Sequence, residues 1–217
     1  MYFLKNLKKS FVIIGLFSIH AWATAGSYED FFKAIQLDRP QEIQQLLQRG
    51  FDPNTVNPAG VPALLLALQE QSFLVADVLA QHPQTQVDAR SARDESALML
   101  AALRGQERLV VHLVSRGAAV NKTGWTPLHY AATGGHVRVA AFLIGAQADV
   151  NSESANGTTP LMMAAMYGNS DTVKLLLESG AEAYPQNDNG LTALDFAAKA
   201  GQERSERLIR EVLQRAQ

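Results

Sequence analysis

Four histidines fall beyond residue 25, His82, His112, His129 and His136, and their ordinary titration range suits them to move protons near neutral pH. Each would need a companion to do so: a carboxylate or hydroxyl for acid–base work, or a second ligand for a metal ion. The spacing supplies none of these. No His-x₃-His or His/Glu pair stands at metal spacing, and neither a Gly-x-Ser-x-Gly elbow nor a phosphate loop is present. With no cysteine in 217 residues, thiol nucleophiles, thiolate metal sites and disulfides are all excluded. Serine and aspartate are plentiful, so a triad assembled by the fold stays open as a hydrolase alternative. The reading from the residues is nevertheless of a chain with no catalytic group, no cofactor and no metal.

What positions these side chains is a repeat. Thr126-Pro127-Leu128-His129-Tyr130-Ala131 is answered by Thr159-Pro160-Leu161-Met162-Met163-Ala164 and by Thr192-Ala193-Leu194-Asp195-Phe196-Ala197. The anchor alanines Ala34, Ala67, Ala101, Ala131, Ala164 and Ala197 are separated by 33, 34, 30, 33 and 33 residues. Units of this size cannot bury an apolar face alone, so they must stack on their neighbours into an elongated solenoid. Thr126 is placed to cap a helix with its hydroxyl, and Pro127 fits the first turn, where its missing N–H costs nothing. The small alanines allow the next helix to approach closely. Gly105, Gly135, Gly168 and Gly201 fall four residues after an anchor alanine, where a reversing chain favours positive φ. Gly50, Gly117 and Gly180 mark the end of each second helix. Gln147 stands at that place in the fourth unit, and His82-Pro83 in the second, so altered helix ends are expected there. Only Lys122 and Thr123 lie between Asn121 and Gly124, which predicts one shortened hairpin finger.

The Thr-Pro-Leu-His-x-Ala signature, followed by Ala-x-x-Gly-His, an apolar helix and Gly-Ala-x-Val-Asn, resembles the ankyrin repeat from about Ser27 to the C-terminus. The resemblance implies an all-α ankyrin-repeat solenoid of about six helix-turn-helix units, starting near residues 28, 61, 95, 125, 158 and 191. It also implies hydrogen bonding by His129 between the helix start and neighbouring turns. Polar Gln41, Glu42, Gln44 and Gln45 and the charged stretch 203–217 suit the two caps, and no second domain is visible.

Residues 1–25 follow a different logic. Lys5, Lys8 and Lys9 precede an apolar run from Phe11 to Ile19, and Ala21-Trp22-Ala23 and Ala23-Thr24-Ala25 offer small-x-small cleavage sites. This pattern reads as a secretory signal peptide, because the run is far short of the ~20 apolar residues that span a bilayer. The expectation is a mature protein from residue 26, monomeric, free of the membrane and periplasmic or secreted, with the cysteine-free composition suiting an oxidising compartment. Loss of the leader removes three lysines and no acid, moving the formal charge from −2 to −5. That balance disfavours nucleic acid, which needs a basic stripe. Arg204, Arg207, Arg210 and Arg215 do cluster, but Glu203, Glu206 and Glu211 interleave with them at pairing distance along a helix.

Function is therefore sought on exposed positions. In an ankyrin-like array these are the finger tips and the solvent side of the first helix, which here bring forward Leu103, Arg104, Trp125, Met166 and Tyr167. Trp, Tyr and Arg carry interface energy out of proportion to their number, and Met adapts to irregular surfaces. These five residues are the expected partner-binding set, on one concave face, for a protein partner. An inhibitor or immunity-type partner of a secreted enzyme is a narrower version of that reading, and an enzyme accessory factor belongs with the hydrolase alternative.

Overall fold

A computed structural model describes residues 26–215, and the expected signal peptide lies outside them. The described chain is a row of antiparallel helix pairs. Helix α1 covers 26–36 and is followed by α2 (Pro40–Gln48), α3 (Ala63–Gln69), α4 (Phe73–Gln81), α5 (Ala97–Leu103) and α6 (Glu107–Ser115). Next come α7 (Pro127–Gly134), α8 (Val137–Gly145), α9 (Pro160–Tyr167), α10 (Ser170–Glu178), α11 (Ala193–Lys199) and α12 (Glu203–Arg215). Extended structure among the described residues is confined to the isolated bridges Val56–Pro62 and Arg90–Ser96 in the fingers. The all-α repeat solenoid expected from the period is what forms.

Odd-numbered helices pack on one another far more intimately than even-numbered ones from α5 onward, so the row bends with the first helices on its inner, concave side. The cause is side-chain size. Ala101, Ala102, Ala131, Ala132, Ala164 and Ala165 are wholly buried between first helices, whereas Leu109, Val139, Leu143 and Leu176 hold the second helices apart. Core leucines Leu98, Leu128 and Leu161 repeat at one register position, and each is fully buried.

The first helices α5, α7, α9 and α11 follow the capping logic, while α2, α3, α4, α6 and α8 start without a side-chain cap. The hydroxyls of Ser96, Thr159 and Thr192 accept from the N–H three residues on, at 3.2, 3.3 and 3.3 Å. In return Met99 Sδ, Met162 Sδ and Asp195 Oδ2 accept from the cap N–H at 3.3, 3.5 and 2.8 Å. Thr126 forms the same reciprocal cap, with His129 Nδ1 accepting from the cap N–H at 3.2 Å, and its hydroxyl also meets Nδ1 at 2.9 Å.

A side-chain amide stitches successive units together. Asn54 donates to Gln84 O (2.9 Å) and accepts from Gln86 N–H (2.7 Å); Asn121 does the same with Gln147 O and Asp149 N–H, and Asn151 with Gly180 O and Glu182 N–H. Asp88 holds the equivalent place in the second unit and accepts from Ala119 N–H at 3.2 Å, but a carboxylate has no N–H to give back.

Two turn expectations are corrected. Gly168 has φ −79°, an ordinary value, and glycine is needed there because an added Cβ would come within 2.5 Å of Ala132 O. The left-handed turn is instead taken by Asp38 (φ 48°) and Gln71 (φ 61°) in the first two units. Gln147 does not alter its helix end: at φ 67° it donates to Ile144 O (3.0 Å) while Ala148 donates to Leu143 O (2.9 Å), reproducing the Gly117–Ala118 pair. The His82 end is altered as expected, leaving α4 in extended geometry (φ −68°, ψ 128°). Its carbonyls are gathered by Arg116, which donates to Ala80 O, His82 O, Pro83 O and Thr85 O.

Candidate functional site

The shortened finger is the centre of the site. Four fingers close with a backbone bond across their base, from Asn57, Ser91, Ser154 and Asn187 N–H to Val61, Glu95, Thr158 and Leu191 O, at 2.9–3.0 Å. The segment Asn121–Trp125 makes no such bond among the described residues. The Lys122 ammonium gathers it instead, donating to Thr123 O (2.8 Å) and Trp125 O (3.3 Å) and reaching Asp94 of the preceding finger at 2.5 Å. Lys122 is only 14% exposed, so its charge is committed to this structural task. Asp94 is held below the usual carboxylate range, first by its bond to Lys122 and also by the charges of Lys122 and Arg90.

Where the finger is short, a gap of about 360 Å³ opens between the neighbouring fingers, with Arg93 and Asp94 on one side, Glu153 and Ala155 on the other, and Trp125 and Tyr130 at its base. Trp125 and Tyr130 are also walls of a second hollow of about 210 Å³, completed by Leu103, Thr133 and Met163 on the first helices. Trp125 is half-buried with its edge toward the His129 ring, 5.1 Å between centroids at 68°. His129 is itself fully buried: Nε2 donates to Thr158 O at 2.9 Å, so Nδ1 is the acceptor for Thr126 N–H at 3.2 Å. Burial, partly countered by that carbonyl, lowers its pKa to about 4 and keeps the ring neutral. Tyr130 is raised above its ordinary value by burial and by the neighbouring Glu95 carboxylate.

Of the residues expected from sequence, Leu103 and Trp125 line the apolar hollow. Arg104 is exposed at the end of α5, Met166 is half-buried, and Tyr167 is 60% exposed near the end of α9; these three lie outside the hollow's lining. Tyr130, Thr133 and Met163 complete it and were missed. The signal was in the repeat, since they follow or precede the paired alanines by one position and so share the inner side of their helices. The histidines serve the scaffold: His136 Nε2 bonds Leu103 O at 2.9 Å and His112 Nε2 bonds Ala80 O at 3.2 Å. Among the described residues no three His, Asp or Glu groups come together as a metal site would require, and no helix is long and apolar enough to cross a membrane.

The model of the family described as ankyrin repeats (3 copies) matches residues 31–123, 83–154 and 142–214. The chain is an ankyrin-repeat protein. Similar curated proteins include ankyrin repeat and SAM domain-containing protein 6 of Rattus norvegicus, 39% identical over 109 residues, covering 48% of this chain and 12% of that protein. Tyrosine-protein kinase Shark of Drosophila melanogaster is 31% identical over 129 residues, covering 58% of this chain and 14% of the kinase. Neurogenic locus notch homolog protein 4 of Homo sapiens is 35% identical over 85 residues, covering 39% and 4%. The likeness spans less than a sixth of each of these three relatives. What connects this ankyrin-repeat protein to them is the repeat architecture, a fold that in general serves protein–protein interaction without catalysis.

Proposed function

We propose that this protein is a non-catalytic interaction module that acts outside the cytoplasm and holds a partner protein on its concave face. The observation that carries the reading is the apolar hollow on the first-helix side, where Leu103, Trp125, Tyr130 and Met163 from three successive units converge, with Tyr167 and Arg104 exposed at the ends of α9 and α5. Side chains of this size left accessible on an inner face are what a partner's anchor residues require. Export is supported by the basic, apolar and small-x-small order of residues 1–25.

Affinity capture from an extracytoplasmic extract tests the reading, with the chain expressed with residues 1–25 in place. The baits are the native protein, a Trp125→Ala/Tyr167→Ala variant, and Leu74→Ala on the outer helix α4 as a control. The expected result is a protein retained by the native and Leu74→Ala baits and lost from the double variant. Equal retention by all three would remove the concave face from consideration, and a substrate turned over by the native chain would replace the module with an enzyme. N-terminal sequencing of the exported protein tests cleavage, with a new terminus at or near residue 26 expected.

A further inference from the structure

The gap above the shortened finger differs from the rest of the inner surface in three ways that bear on what fills it. It is open at its base, because three residues present at the other finger positions are missing and no backbone bond closes it among the described residues. It runs into the apolar hollow through the shared walls Trp125 and Tyr130. Its charged walls are unequally partnered: Lys122 is bound to Asp94 and Arg93 faces Glu95 at 3.8 Å, while Glu153 on the opposite lip is exposed and forms no ion pair among the described residues. One unpaired carboxylate therefore stands at the lip of a gap of about 360 Å³.

We propose that this slot takes an extended segment of the partner protein, with a large apolar side chain seated against Leu103, Trp125 and Met163 and a lysine or arginine close by in its sequence meeting Glu153. The proposal rests on the concave-face reading above and adds the partner's chemistry to it. An acidic segment is disfavoured because the nearby cations Arg90, Arg93 and Lys122 each have a carboxylate partner, and the excess of acid over base in residues 26–217 attracts a basic partner at long range. The restored finger of a neighbouring unit would occupy the same space, so the missing residues are what make the slot.

A displayed library of random octapeptides selected on the full-length chain, followed by fluorescence anisotropy with the selected peptides, tests this. Expected is a consensus with a large apolar residue within three positions of Lys or Arg. Its binding should weaken at least tenfold in Glu153→Lys and in a variant whose finger is lengthened by three residues between Lys122 and Gly124, each melting as the native protein does. Exchanging the peptide's Lys or Arg for Glu should recover binding to Glu153→Lys. Acidic consensus peptides, binding indifferent to both slot variants, or no selected peptide would overturn the inference. If binding falls with Tyr167→Ala and not with the slot variants, the concave-face reading stands and the slot does not.

Discussion

His129 ties the start of α7 to the next finger and can do so only while neutral, since Nδ1 must accept from Thr126 N–H and Nε2 must donate to Thr158 O. The unfolded chain takes up a proton at this imidazole near pH 6.5, and the folded protein resists until about 4. Between those values the unfolded state binds more protons, so stability falls as the pH falls. Linkage makes this about 3 kcal/mol, fully present above pH 6.5 and lost toward pH 4. Urea midpoints measured from pH 7.5 to 4.5 should therefore drop steeply in the native protein. His129→Met, which borrows the residue of the Met99 and Met162 caps, should lie about 1 kcal/mol lower at pH 7 for want of the Thr158 bond and show most of that slope removed. A native midpoint that is flat over this range would show the ring to be protonated in the fold. The scaffold role of this histidine was legible from its place in the repeat signature. The added ring–hydroxyl contact was not, because it depends on Ser152 at the end of the same unit and Thr158 of the next coming to meet Thr126 and the ring.

At the scale of helix and turn, spacing located every reversal, while residue identity misjudged how some of them are made. Gln147 and Gln71 adopt left-handed backbone at places where other units carry glycine, and Gly168 is glycine for want of room. Contacts across units override local preference at such places, and a single unit's sequence does not contain them. Gln147→Gly should raise stability by about 0.5–1 kcal/mol, since relief of the left-handed strain on a side chain exceeds the added freedom of the unfolded glycine. A thermal melt decides it, and no gain would mean that the exposed Gln147 side chain contributes more than the strain costs. Arg116 is the converse case: nothing in its own unit marks it, yet it gathers four carbonyls at the irregular end of α4. Arg116→Ala should cost about 2 kcal/mol through orphaned carbonyls, a loss that Arg116→Lys recovers only in part because one ammonium cannot span the fork. Equal stability of all three chains would mean that water replaces the guanidinium at no cost.

Across the whole molecule, stability in a stacked array is the sum of each unit's own contribution and its contacts with the next, so it need not be uniform. The helices α2, α3 and α4 lack side-chain caps at their starts, and the turns at Asp38 and Gln71 carry left-handed side chains. The α3–α5 junction is also the loosest between the first helices α3 to α11, and Asp88 in the second unit gives only half of the amide stitch to the third. Among the first helices α5, α9 and α11, by contrast, Ser96, Thr159 and Thr192 supply the caps that α3 lacks, alanine pairs close the stack, and Asn121 and Asn151 bridge in both directions. The first two units should therefore open as a block before the rest. Native-state hydrogen exchange is expected to show amides of α3 and α4 exchanging through a partial opening of lower free energy, while α7 and α9 exchange only on global unfolding. Leu65→Ala, which removes a fully buried side chain from α3, should widen that difference by about 2–5 kcal/mol and leave α7 and α9 protected. A single exchange free energy shared by all four helices, lowered equally by the substitution, would mean that the array unfolds as one unit. On the expected gradient, Trp125, Tyr130 and the slot lie in the persistent half, where a partner meets preformed walls and binding entails little ordering of the protein.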